Sequence, residues 1–231
     1  MKIEVFESPD AVAHAAAKFI AAEARSAVAA RGSFTFAVSG GQTPWVMLRA
    51  LSGMDLPWKD VQVVQVDERV APAGDPDRNL SHLRASLLDH APLAAAQIHA
   101  MPVEDTDLAA AAGRYAATLR ELAGEPPILD LVHLGLGPDG HTASLVPNDA
   151  VLDVADADVA VTSSAYMGRR RMTLTYRTIN QARRILWLVT GEGKAPMLRR
   201  LHAVDTSIPA GRIRQENATV LADYPAATRV R

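Results

Sequence analysis

Short, nearly continuous apolar runs alternate along the whole chain with stretches rich in Ala, Leu and spaced charges. The runs Ile3 to Phe6, Phe34 to Val38, Val61 to Val66 and Ile128 to Leu134 predict strands, as do Val159 to Thr162, Arg171 to Thr175, Ile185 to Val189 and Thr219 to Ala222. Helices are expected over Asp10 to Ala30, Pro44 to about Leu51, Leu80 to Asp89, Thr106 to Ala123 and Gly193 to Val204. Strands that are apolar on both faces belong between two layers of helices. The pattern therefore predicts an α/β fold built on a doubly wound, mostly parallel sheet with helices on both faces. No repeat, low-complexity tract or linker divides it, so residues 1–231 are read as a single domain.

Composition narrows the chemistry more than the fold. The chain has 231 residues, 48% of them hydrophobic and 22% charged, which suits one sizeable core. A net charge of -2, without any long run of one sign, supplies no attraction for nucleic acid or an anionic membrane. The absence of cysteine excludes disulfides, thiolate nucleophiles and thiolate-bound zinc. The first residues, MKIEVFESPD, lack the apolar core of a secretory signal. No stretch reaches the roughly 20 apolar residues of a membrane span. A cytoplasmic protein acting on a small molecule, as a monomer or small homo-oligomer, is the expectation.

Ligands of such folds sit beyond the carboxyl ends of the strands, and the unusual residues of this chain fall there. Ser39-Gly40-Gly41-Gln42-Thr43-Pro44 follows the Phe34 strand. Its glycines and free N–H groups could cradle a phosphate, with Thr43 as helix cap and Pro44 as first helical residue; a plain capped turn reads the same. Asp67-Glu68-Arg69 ends another strand, either as a charge cluster facing the ligand cleft or as a solvated ion pair.

Gly135 to Ser144 contains a GxGxxG at Gly135, Gly137 and Gly140. A dinucleotide site is rejected, because Pro147 comes seven residues after Gly140 and leaves no room for the long helix that motif opens. His141 in that loop, with Asp139 two residues before it, is the best candidate general base, since imidazole accepts a proton from water near neutral pH. His133 lies inside an apolar strand and reads as core, and His14, His82, His90, His99 and His202 read as solvated. No second histidine stands at metal-ligand spacing from His141, so no metal is expected.

Lys194, at the start of a helix, opposes the helix dipole unless it meets an anion there. Arg169, Arg170 and Arg171 form a basic trio read mostly as surface. There is neither a GxSxG elbow nor a GxxxxGK[ST] loop, so serine-hydrolase and ATP-dependent chemistry lack their marks; nothing identifies Ser144 as a nucleophile.

Taken in order, SGGQTP, VDER, DRN, GLGPDGHTAS, RMTLTYRTIN and TGEGKA resemble the 6-phosphogluconolactonase family over about Phe34 to Ile213. The wider superfamily includes glucosamine-6-phosphate deaminases on a similar Rossmann-like sheet. The resemblance implies hydrolysis of 6-phospho-D-glucono-1,5-lactone to 6-phosphogluconate in the oxidative pentose phosphate pathway, without metal or organic cofactor. It assigns the Ser39 to Thr43 loop, Arg171 and Lys194 to the phosphate, Asp67 and Arg69 to the sugar end, and His141 to the general base. In the chemistry expected, either Asp139 or Asp67 orients the imidazole, and the sequence does not choose between them. Val146 before Pro147, and Arg69 after Asp67-Glu68, depart from the deaminase pattern, which has an acidic residue and a tyrosine there. Asp77-Arg78-Asn79 departs from the lactonase pattern, in which many members read Ser-Asn. A non-catalytic sugar-phosphate sensor would lack a use for His141 and would carry a DNA-binding segment, which is not evident in this chain.

Overall fold

The computed structural model describes residues 1–230. Ten strands form, β1 (Lys2–Phe6), β2 (Phe34–Val38), β3 (Val61–Gln65), β4 (Asp67–Arg69), β5 (Ile98–His99), β6 (Leu131–Gly135), β7 (Val159–Val161), β8 (Arg171–Leu174), β9 (Arg184–Val189) and β10 (Ala218–Asp223). The α-helices are α1 (Pro9–Arg31), α2 (Gln42–Ser52), α3 (Asn79–Leu83), α4 (Leu108–Ala123), α5 (Tyr176–Gln181) and α6 (Ala195–His202).

Seven strands make one parallel sheet in the order β1-β10-β9-β6-β2-β3-β5. Alternate residues of each strand feed two cores, as the absence of a polar face requires. Phe34, Phe36 and Val38 of β2 pack under α1 and α2, whereas Ala37 faces the opposite layer with α4 and α6. On β9, Leu186 and Leu188 take the first side and Ile185, Trp187 and Val189 the second. The α1 face is mostly alanine (Ala13, Ala16, Ala17, Ala21, Ala24), so its backbone lies close to the sheet. Ser8 caps that helix by accepting from the Ala11 N–H at 3.2 Å, and Pro9 occupies its first turn. Among the described residues, no helix is long and apolar enough to cross a membrane.

From β2 the chain moves to β3 and β5 on one side, then crosses back to β6 on the other. The β2–β6 gap is therefore the point where the winding reverses, the place where such sheets form a ligand crevice.

Four expectations change. The strand expected over Val61 to Val66 stops at Gln65, and Asp67–Arg69 joins β7 and β8 in a separate antiparallel sheet of order β4-β8-β7. The helix expected over Leu80 to Asp89 is α3 followed by a π-turn, Arg84–Leu88. The helix expected from Gly193 begins as a 3₁₀ turn, Glu192–Lys194, before α6. Finally, α2 begins at Gln42 rather than at Pro44. Its cap is Gly41 (φ 135°, ψ 162°), a backbone only glycine adopts freely, so Thr43 lies inside the first turn and is no cap.

Candidate active site

A cavity of about 390 Å³ opens at the carboxyl ends of β2, β6 and β9. Ser39, Gly40, Gly41, Gln42 and Thr43 line it from the turn after β2, and His141 from the turn after β6. Asp67, Arg69 and Arg171 line it from the small sheet, and Lys194 from the turn after β9. Every residue expected at the site is thus on its wall except Asp139, which stands behind His141.

The small sheet explains which charges face the cavity. Residues one apart on a strand point to opposite sides. In the β4–β8 register Arg69 pairs with Arg171, Glu68 with Met172 and Asp67 with Thr173. Asp67, Arg69 and Arg171 therefore share the cavity side, and Glu68 points away with Met172 into the protein. Of the two readings of Asp67-Glu68-Arg69, the cluster facing the cleft holds for Asp67 and Arg69, which line the cavity, whereas Glu68 is neither solvated nor in the cleft. Glu68 is fully buried beside the equally buried Arg78, Nε to Oε2 3.2 Å. Its carboxylate also accepts from the N–H groups of Arg69, Asn79 and Leu80, each at 2.8 Å, and from Gln65 Nε2 at 2.9 Å.

Asp67 is itself buried, which raises its carboxyl above the usual range, although Ser144 and Arg171 oppose the rise. The Ser144 hydroxyl donates to Asp67 Oδ2 at 2.6 Å and is fully buried, so it pins Asp67 and is unavailable as a nucleophile. Arg69 donates from Nη1 to the Asp77 carbonyl at 2.6 Å. Of the basic trio, Arg170 is exposed and Arg169 partly so, pairing with Asp75 and Asp77 at 3.1 and 3.2 Å, while Arg171 is buried (5% exposed) against the cavity. Burial lowers the Arg171 and Lys194 pKa values, with nearby Asp67 and Asp139 respectively opposing it. Thr43 and Thr190 hydroxyls meet at 2.8 Å and tie the turn after β2 to that after β9.

His141 Nδ1 lies 2.6 Å from Asp139 Oδ1, and its backbone N–H donates to the same oxygen at 3.1 Å. A carboxylate only accepts, so Nδ1 carries the proton and Nε2 keeps its lone pair. Burial alone would raise Asp139, but the His141 amide, the Tyr166 hydroxyl and the His141 ring together hold it below the usual range. Asp139, rather than Asp67, is therefore the carboxylate on this imidazole. Glycine at 137 leaves room for the pair: a Cβ there would stand 2.1 Å from His141 Nδ1 and 2.7 Å from Asp139 Oδ1.

His133 is buried beneath the loop. Its Nδ1 accepts the Ser39 N–H at 3.3 Å, and burial pushes its pKa down to about 3, so it is neutral and no rival base. Of the histidines read as solvated, His99 is half-buried in β5 against Gln62 Oε1 at 2.8 Å.

Sequence reasoning missed Tyr166, whose hydroxyl donates to Asp139 Oδ2 at 2.8 Å. It comes from a loop with no motif. Thr190 was also missed, although its place directly after β9 obeys the same strand-end rule that found the other loops.

A parallel sheet with a cationic cavity at its winding reversal, walled by a histidine that a carboxylate backs, is an α/β enzyme site suited to an anionic ligand. The model of the family "Glucosamine-6-phosphate isomerases/6-phosphogluconolactonase" matches residues 7–222, and the chain belongs to that family. A 6-phosphogluconolactonase of Mycobacterium tuberculosis is 36% identical, covering 99% of this chain and 98% of its own. The structure of 6-phosphogluconolactonase from Trypanosoma brucei superposes with a TM-score of 0.86 at 25% identity, over 100% of this chain and 98% of that one. A monomeric glucosamine-6-phosphate deaminase superposes equally well, with a TM-score of 0.87 at 20% identity over 99% and 100% of the two chains. At that identity the likeness speaks for the fold alone. Residues in the site, rather than the sheet, must choose the reaction.

Proposed function

We propose that this chain hydrolyses 6-phospho-D-glucono-1,5-lactone to 6-phosphogluconate, the lactone-opening step of the oxidative pentose phosphate pathway. The observation that carries the reading is a proton-accepting His141 Nε2, oriented by Asp139 at 2.6 Å, on the wall of a cavity that also presents Arg69, Arg171 and Lys194. Three cations against the single cavity carboxylate of Asp67 suit a phosphorylated substrate whose product gains a second anionic group, a carboxylate. Val146 before Pro147, where a deaminase carries an acidic group, supports the same choice.

The phosphate is held by the Ser39 to Thr43 loop with Lys194 and Arg171, placing the ring for attack and supplying the entropic part of catalysis. A δ-lactone is an activated ester, so water attacks its carbonyl directly while His141 Nε2 takes the proton. Arg69 or loop N–H groups stabilise the oxyanion, and the His141 imidazolium then protonates the departing ring oxygen. Asp67, held by Ser144, faces the sugar hydroxyls. The enzyme acts in the cytoplasm, as a monomer or small homo-oligomer, and needs no cofactor for these steps.

The test is hydrolysis of freshly generated lactone with the spontaneous rate subtracted. Clear acceleration by the wild type supports the assignment. No acceleration sinks it, and release of ammonia from glucosamine 6-phosphate would then identify the deaminase.

Gly137→Ala probes the geometry of the base. The added methyl must displace the His141–Asp139 pair, and misplacement by about 1 Å costs up to about a hundredfold in rate. We expect turnover to fall at least about tenfold, with the melting temperature almost unchanged because the obstructed atoms are side-chain ends. Wild-type turnover in this variant would show that the pair's position does not matter.

A further inference from the structure

Residues 163–170, between β7 and β8, fold into a tight reverse turn over the cavity rim. Tyr166 and Arg169 bridge it, and Met167 (φ 51°) and Gly168 (φ 81°) form its tip. Met167 is 78% exposed. The Arg169 pairs to Asp75 and Asp77 anchor the turn against the loop that also accepts from Arg69. Tyr166 touches two parts of the site at once. Its hydroxyl donates to Asp139 Oδ2 at 2.8 Å, on the oxygen that His141 does not use, and lies 3.1 Å from His141 Nδ1. Its ring stands edge-on to the imidazole at 5.2 Å between centroids, and the Arg171 guanidinium lies 5.0 Å from the ring centre. The Tyr166 carbonyl accepts from Arg171 Nη2 at 3.4 Å.

We propose that Tyr166 is a positioning residue for the reaction, whose hydroxyl locks the Asp139–His141 pair while its ring seats Arg171, so that base and anion-binding cation are set by one side chain. This rests on the lactone-hydrolase reading above. An Asp139 carboxylate held only by His141 could rotate about its terminal torsion and carry the imidazole with it; the second bond removes that freedom. The hydroxyl also draws charge from the carboxylate, so less remains to favour the imidazolium. The other charged groups around the pair are Lys194, which interacts with Asp139, and, beyond Tyr166, Arg171 with Asp67 and Arg69. None of these takes the place of the hydroxyl on Asp139 Oδ2.

Two variants separate the two functions. Tyr166→Phe keeps the ring and deletes the hydroxyl: kcat should fall roughly tenfold while KM stays within about twofold. Without the hydroxyl, Asp139 favours the imidazolium more, so the acidic limb of kcat/KM should move to higher pH. Tyr166→Ala also removes the ring and should raise KM about threefold or more on top of the kcat loss. The His141 ring titration followed by NMR should show the same upward displacement in Tyr166→Phe, whatever the substrate. If the wild type accelerates lactone hydrolysis and Tyr166→Phe retains its kcat, limb and ring titration, the positioning role is wrong. If the wild type is inactive, the functional reading has failed, and an unmoved ring titration would independently overturn the Tyr166 clamp.

Discussion

His141→Ala should lower background-corrected lactone turnover by about a hundredfold or more, in a protein that still melts near the wild-type temperature. Among the described residues that line the cavity, His141 is the one imidazole, and removing its ring deletes that proton acceptor. The neighbouring candidates do not substitute. Ser144 is buried and committed to Asp67, His133 is buried and neutral, and Asp67 is buried and held by the Ser144 hydroxyl. The fold should survive because the His141 side chain contributes little to either core and is partly exposed, 21%. Its polar partners, Asp139 and Tyr166, are left next to water, so no buried charge is stranded. Some residual acceleration should persist, since the phosphate clamp and the oxyanion donors remain. Asp139→Asn should lie between the two: the ring stays, but its preferred tautomer is no longer imposed. Undiminished turnover in His141→Ala would refute the base assignment even if the protein proves to be a lactonase.

The largest expected effect on stability lies one residue from the site and outside the chemistry. Glu68→Ala should destabilise the protein by about 3–5 kcal/mol, the cost of removing one partner from a buried ion pair. Glu68 is 0% exposed and Arg78 2%, so the stranded guanidinium would keep only Glu104, at 2.7 Å from Nη1, and the Ala71 carbonyl at 3.1 Å. Three backbone N–H groups, of Arg69, Asn79 and Leu80, would lose their acceptor together. These bonds fix the start of α3 against β4, and Asn79 in turn donates to the Asp67 carbonyl at 3.0 Å. For a domain of this length the loss corresponds to roughly 6–20 °C in melting temperature. Glu68→Gln should be milder, because an amide oxygen can still accept some of these bonds. Chemical denaturation with both variants measures the difference. A loss below about 1 kcal/mol for the alanine variant would mean that the pair's desolvation cost cancels its worth.

These two residues also show where the sequence is informative. His141 and Asp139 are two positions apart on one glycine-rich turn, so their meeting is a local matter and could be read from the chain. The same holds for β2, β6 and β9, whose apolar runs admit no solvated face and therefore demand a two-sided cover, and for the long alanine helix between Ser8 and Gly32. From those elements alone follow the parallel sheet, the loops at its carboxyl ends and the candidate base.

What the linear pattern could not decide depends on strands meeting from far apart. Asp67-Glu68-Arg69 is charged throughout, so its polarity hid a strand. Only the antiparallel partnership with Arg171 to Leu174 sends Asp67 and Arg69 to the cavity and Glu68 into the interior. The same register buries Arg171, while Arg169 stays partly exposed and Arg170 exposed, a distinction that three consecutive arginines do not carry. Short elements such as β5 and α5 have too few residues to show a period. Tyr166 reaches Asp139 across 27 positions, through the fold of one tight turn, and no local pattern announces it. Period and loop chemistry are properties of neighbouring residues, which the sequence by itself determines; which charge is buried, and which side chain steadies the base, are properties of register between distant segments, and the tertiary structure alone decides them.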